Sequence, residues 1–182
     1  MKQVISQKII SLFENKGGSM YGGEAVTQLE HALQCAHLAA ENNASDELIT
    51  AALLHDVGHL LHDLPDDASD NGIDDVHEEL GATFLENYFK PAVVEPVKLH
   101  VAAKRYLCSM VDGYWESLSR PSQISLEFQG GKMNETEMKK FEENPFYKDA
   151  IELRKWDDLA KDPELKTAPV EHFVKNIENS IK

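Results

Sequence analysis

The chain has 182 residues, which suits one domain, and 42% of them are apolar, enough to bury a core. Its net charge is −14 with a pI near 4.9, which argues against nucleic acid or an anionic membrane as partner, because phosphate backbones need clustered lysine and arginine. No apolar run approaches the roughly 20 residues of a membrane span, and the amphipathic N-terminus MKQVISQKIISLFENKGG does not read as a signal peptide. The two cysteines, Cys35 and Cys108, sit in apolar helical stretches and imply no disulfide framework, so a reducing cytoplasm is the expected compartment.

In chain order the pattern is helical almost throughout. Val4, Ile5, Ile9, Ile10 and Phe13 give residues 2–15 a helix period, ended by Gly17-Gly18. Ala25, Leu29, Leu33, Ala36 and Ala40 predict a helix over 24–41. Ser45 followed by Asp46 and Glu47 reads as an N-cap with acids in the first turn, and the helix is expected to run on to about Leu61. Residues 63–75, with Pro65, Gly72 and repeated aspartates, predict a solvated loop. Helices are expected near 77–89 and 93–110, with Pro96 in a first turn. Residues 111–133 are the least regular. Asn134 starts another helix, and 146–161 and 170–181 read as the last two. No strand-period run and no internal repeat is present, so the expected fold class is all-α.

Four histidines and two aspartates stand out on this pattern: His31, His55-Asp56, His77, His100 and Asp157. The gaps from His31 to His55, Asp56 to His77 and His77 to His100 fit a helix, a turn and part of the next helix, so each residue could face one centre. Iron, manganese and zinc accept imidazole and carboxylate together. An aspartate after a histidine can give one oxygen to each of two ions. In AALLHDVGHL, His55 and Asp56 interrupt an apolar helix. Burying them needs a metal or an ion pair in compensation, and the bland alternative is a hydrogen-bonded structural pair. His59 follows one turn later, with Gly58 leaving room. Lys104 follows His100 by one turn and either holds an anionic substrate group or snorkels to solvent. Asp158 competes with Asp157, and only the helix face decides. His77 could equally be a surface residue at a helix start. Tyr21-Gly22-Gly23-Glu24 is either a turn into a helix or a lid with a glycine hinge. His37, His62 and His172 fall outside the constellation.

The arrangement His31…His55-Asp56…Asp157 resembles the H…HD…D signature of the HD-domain superfamily, whose members are all-α and often metal-dependent phosphohydrolases. More specifically, YGGEAVTQLEH, ALLHDVGH, HVAAKRYL, LEFQGG and LRKWDD resemble the phosphonate-degrading HD-domain oxygenases (the PhnZ/TmpB type), relatives of myo-inositol oxygenase, over about residues 20–160. That resemblance implies a single HD-domain helical bundle over 1–182 with a mixed-valence Fe(II)/Fe(III) diiron centre. His31, His55, Asp56 and Asp157 would hold one iron. Asp56, His77 and His100 would hold the other, with Asp56 bridging. Tyr21 would occupy an iron position before substrate arrives, and Glu24 would meet a substrate ammonium group. His59, Lys104, Ser122, Ser125 and Arg154 would contact the phosphonate, the two serines being the weaker correspondences because their segment is irregular.

The implied activity is dioxygen-dependent cleavage of the C–P bond of a 1-hydroxyalkylphosphonate. 2-Amino-1-hydroxyethylphosphonate would give glycine and phosphate, and its trimethylammonium analogue glycine betaine and phosphate. The partners are then a small phosphonate and dioxygen. The alternative is a two-metal phosphohydrolase acting on a phosphate ester or nucleotide with a metal-bound hydroxide. A non-catalytic metal-bound helical module ranks third, because Lys104 and Glu24 beside an ion-ready cavity point to a ligand.

Overall fold

The computed structural model describes residues 1–61 and 76–182. His62 and the expected acidic loop at 63–75 lie outside them. Helix α1 (Lys2–Lys16) turns Ile5, Ile9, Ile10 and Phe13 inward. It ends where Gly17 N–H donates to the Phe13 carbonyl, and a Cβ at Gly17 would lie 2.5 Å from that oxygen. Helix α2 (Gln28–Glu41) starts later than the expected residue 24. Thr27 and Glu30 form a capping box, each side chain accepting from the other's backbone N–H. Helix α3 (Asp46–Leu54) starts at Ser45, whose hydroxyl accepts from Leu48 N–H, as the sequence predicts.

The helix expected to continue to Leu61 stops instead at Leu54. His55 and Asp56 form a turn, and Val57–Leu60 is a short 3₁₀ segment. The apolar pattern carries through the break, so periodicity alone did not reveal it. Close packing is the physical reason: a Cβ on Gly58 would sit 2.0 Å from the His77 carbonyl oxygen. The 3₁₀ segment therefore lies directly against the start of α4 (His77–Leu85). Helix α5 (Pro91–Met110) opens with Pro91 in its first turn, where the missing N–H costs nothing. Pro96 is one turn further in, not in the first turn as expected.

The irregular region holds two helices, α6 (Tyr114–Ser117) and α7 (Arg120–Phe128), the second capped by Ser119. Helix α8 (Glu135–Glu142) follows the Asn134 capping box. Then come α9 (Tyr147–Leu159), a 3₁₀ turn at Val170–Phe173, and α10 (Val174–Ser180). Among the described residues there are ten α-helices and no strand, and no helix is long and apolar enough to cross a membrane.

Helix α5 is central and packs on α3, α4 and α9. Helix α2 packs on α3 and α9, and α10 closes over α1 and α3. One apolar cluster runs from Ile5 to Ile181 and includes the fully buried Leu53, Leu85, Phe89, Leu153 and Ile177. Each such side chain contributes about 1.5–3 kcal/mol. Smaller clusters seat α8 around Tyr106 and Phe141, and α7 around Cys108, Leu118 and Leu126. The packing brings the middle of α2, the turn after α3, the start of α4, the middle of α5 and the end of α9 to one point.

Candidate metal centre

Two cradles of donor atoms share one carboxylate at that point. His31 Nε2 lies 3.1 Å from His55 Nε2, and Asp157 Oδ1 is 3.3 Å from the first and 3.8 Å from the second. His77 Nε2 lies 3.2 Å from His100 Nε2. Asp56 sits between the pairs. Its Oδ2 faces His31 and His55 at 3.6 and 3.3 Å, and its Oδ1 faces His77 and His100 at 3.3 and 3.4 Å. The two oxygens of one side chain thus address separate histidine pairs. All six residues are buried. Asp157, not Asp158, is on the inner face.

Hydrogen bonds behind the histidines fix which nitrogen looks inward. Nδ1–H of His31 donates to the Ala160 carbonyl at 2.7 Å, that of His55 to Ala52 at 2.9 Å, and that of His100 to Val97 at 2.6 Å. A carbonyl only accepts, so each Nδ1 carries the proton, which leaves Nε2 to offer its lone pair to a metal. His77 Nδ1 faces Glu78 Oε2 at 3.6 Å. Lone pairs from His31 and His55 therefore converge on one another and on two carboxylates. Acceptors at such distances need a cation between them. Asp56 Oδ1, buried with no hydrogen-bond partner among the described residues, makes the same demand on the other side. Imidazole nitrogens and carboxylate oxygens, braced from behind, are a donor set that fits iron or a similar ion.

Electrostatics keep the carboxylates ionised. Burial opposes the charge on Asp56, but the surrounding His55, His100 and His77 rings hold its carboxyl well below the usual range. Burial opposes Asp157 likewise. The Arg154 guanidinium, 2.7 Å from its Oδ2, and contacts to His31 and His55 hold it low. Arg154 also pairs with Asp158, which accepts from the Tyr114 hydroxyl. Arg154 thus props Asp157, a role the sequence did not suggest. Its Nε–H remains buried without a partner among the described residues. The thiol of Cys35, fully buried, completes a close group with His31 and His55. The sequence showed it only as an apolar helix position.

The segment before α2 closes over this centre. Gly22 and Gly23 take φ of +25° and +77°, the second being a left-handed value that glycine adopts without strain. They carry Tyr21 inward. Its ring stacks on His31 with centroids 3.8 Å apart, and its hydroxyl donates to Asp157 Oδ1 at 3.3 Å. Burial raises the Tyr21 pKa well above its ordinary value.

A polar wall joins α5, α7, the lid segment and the stretch after α9. Lys104 is 3% exposed, which overturns the snorkelling alternative, and its Nζ donates to Ser125 Oγ at 2.9 Å. Burial and the Arg154 charge push its pKa down to about 7. Ser125 in turn donates to the Ser122 carbonyl. Lys161 Nζ donates to Ser122 Oγ and Ser119 Oγ at 3.1 and 3.2 Å and lies 3.3 Å from Glu24 Oε1, which also accepts from Ser119. Lys161 and Ser119 were not among the residues the sequence singled out. His59 is half-buried and stacks on His77 at 4.1 Å. His37 pairs with Glu41 at the surface, and exposed His172 rests edge-on against Phe173.

Comparison with known proteins gives the family. The HD-domain family model matches residues 29–162. A hydroxymethylphosphonate dioxygenase of Gimesia maris is 48% identical over 180 residues, covering 97% of this chain and 89% of that protein. A [1-hydroxy-2-(trimethylamino)ethyl]phosphonate dioxygenase (glycine-betaine-forming) of Leisingera caerulea is 38% identical, over 97% of this chain and 90% of that protein. An uncharacterised protein of Acanthamoeba polyphaga mimivirus is 35% identical over 95% of this chain and 81% of its own length. With its histidine pairs divided by Asp56 and this likeness along nearly all its length, the chain belongs to the HD-domain family and groups there with the phosphonate-degrading oxygenases.

Proposed function

We propose that the chain is one HD domain over residues 1–182 that binds a mixed-valence Fe(II)/Fe(III) pair and uses dioxygen to cleave the C–P bond of a 1-hydroxyalkylphosphonate. The observation that carries the proposal is Asp56, whose two oxygens each face a separate histidine pair at 3.3–3.6 Å. Relatives named as phosphonate dioxygenases supply the reaction class. A core extending from Ile5 to Ile181 supports a single unit.

His31, His55, Asp56 and Asp157 would hold one iron, and Asp56, His77 and His100 the other. When bound, the iron pair supplies dioxygen activation and the electron changes that end in phosphate and the carboxylate of the former hydroxyl carbon. The chain supplies position and charge. Lys104, with the unspent Nε–H of Arg154, meets the phosphonate oxygens through charge-assisted hydrogen bonds. Ser122 and Ser125 orient the cations, and His59 lies stacked against His77 at the edge of the second cradle. Tyr21 covers Asp157 and His31, and moves aside when substrate takes that space. Its closure keeps water and dioxygen from the empty site.

The test is iron-loaded protein mixed with each 1-hydroxyalkylphosphonate, with and without dioxygen, while phosphate and oxygen uptake are measured. Two irons per chain and phosphate formed in step with oxygen uptake are expected. Phosphate released from phosphate esters with no oxygen consumed would assign the chain to the two-metal phosphohydrolases instead.

A further inference from the structure

The carboxylate beside the lid is already matched by a cation of the same chain. Glu24 and Lys161 face each other with side chains 14% and 12% exposed, so solvent screens the pair little. The Ser119 hydroxyl donates to the same Glu24 oxygen and itself receives a hydrogen bond from Lys161. Backbone fixes where Lys161 stands. It directly follows Ala160, whose carbonyl braces His31, and precedes Asp162, whose backbone N–H and C=O both bond the buried Gln34 side chain. The Lys161 backbone is therefore anchored beside the site, and its ammonium is held toward Glu24 by Ser119 and Ser122.

We infer that Lys161 determines specificity: by neutralising Glu24 it fits the site to a 1-hydroxyalkylphosphonate whose carbon end bears no positive charge. The inference rests on the proposed reaction and narrows its substrate. A buried ammonium loses hydration and needs an uncommitted anion in return. Here the nearby anion is committed, and a second cation beside Lys161 meets like-charge repulsion, the repulsive element that selectivity requires. A hydrogen or small alkyl group on the carbon has no such cost. The relative at 48% identity is named for a substrate without an amine, whereas the relative at 38% is named for a trimethylammonium one.

The test uses iron-loaded protein. Anaerobic titration gives Kd for hydroxymethylphosphonate, 2-amino-1-hydroxyethylphosphonate and its trimethylammonium analogue, and phosphate release is then followed after oxygen is admitted. The parent is expected to bind hydroxymethylphosphonate at least about tenfold more tightly than either cation-bearing compound, a charge-assisted contact being worth that much. Lys161→Met should shift the ratio about tenfold or more toward the ammonium compounds. Lys161→Arg should keep the parent ratio, and Glu24→Gln with Lys161→Met should erase the shift. A parent that binds the ammonium compounds as tightly overturns the inference, as does an unchanged ratio in Lys161→Met. Selective binding without phosphate would sink the proposed reaction and leave the selectivity standing. Phosphate formed with no selectivity would do the reverse.

Discussion

Replacing Lys104 with Met should make the protein more stable and its substrate weaker. Lys104 is 3% exposed, and burial with the Arg154 charge lowers its pKa from 10.5 to about 7. Below pH 7 the lysine is protonated in both folded and unfolded chains, and the folded protein bears the full cost of a buried charge. Between pH 7 and 10.5 the unfolded chain holds a proton that the folded one has released, so stability rises with pH across that window. A shift of this size, at about 1.4 kcal/mol per unit and less about 1 kcal/mol for the lost Ser125 hydrogen bond, leaves roughly 4 kcal/mol gained by Lys104→Met at pH 6. In a chain of this length that is a rise in melting temperature of about 8–16 °C. The gain should shrink as pH climbs above 7 and be gone near 10.5. Phosphonate affinity should fall about ten- to hundredfold, since the cost of the charge is recovered only when an anion arrives. Calorimetric melting of metal-free parent and variant between pH 6 and 10, with phosphonate titrations of the loaded forms, measures both. A variant less stable than the parent at pH 6, or a difference that ignores pH, would refute the reasoning.

Three further outcomes follow from the same geometry. Asp56→Ala should lose both metals while His100→Ala mainly empties the second site, as metal content after dialysis will show; one tightly held ion in Asp56→Ala would remove the bridging assignment. Tyr21→Phe lacks the hydroxyl that reaches Asp157, so its resting optical and EPR spectra should differ from the parent's and its iron should oxidise faster without substrate. Gly58→Ala puts a Cβ 2.0 Å from a backbone oxygen that cannot swing away, and should cost more than about 3 kcal/mol or abolish folding, read by denaturant titration.

Much of the site was visible because it breaks local rules. A histidine and an aspartate inside an apolar helix pattern demand a partner, and that demand can be read without coordinates. The Thr27–Glu30 capping box was equally present in the sequence, yet apolar spacing from Ala25 onward hid it and placed the start of α2 too early. Ser119 followed by Pro121 likewise marks the start of α7 in a region read as irregular. The break after Leu54 was hidden for a different reason: Gly58 signals a close approach but not what approaches, and the answer, His77, lies beyond the acidic stretch. The pairing of Lys161 with Glu24 joins segments 137 positions apart and leaves no periodic trace in either. Arg154 was legible as a cation near the site, but its hold on Asp157 and Asp158 depends on which helix face turns inward.

Three of the four site histidines are tied through Nδ1 to carbonyls of the fold itself, at Ala160, Ala52 and Val97. Two of those bonds form within a helical turn and the third as α2 packs on α9, and none requires an ion. Three of the rings are therefore oriented by the fold itself, unlike a zinc finger, where the metal organises an otherwise unfolded chain. A metal ion bound there meets three rings already oriented, so less of its binding energy is consumed in ordering ligands. Its effect on stability is then one of mass action, growing with the logarithm of free ion concentration. Scarcity of that ion would then leave a folded chain waiting for metal rather than an unfolded one marked for destruction.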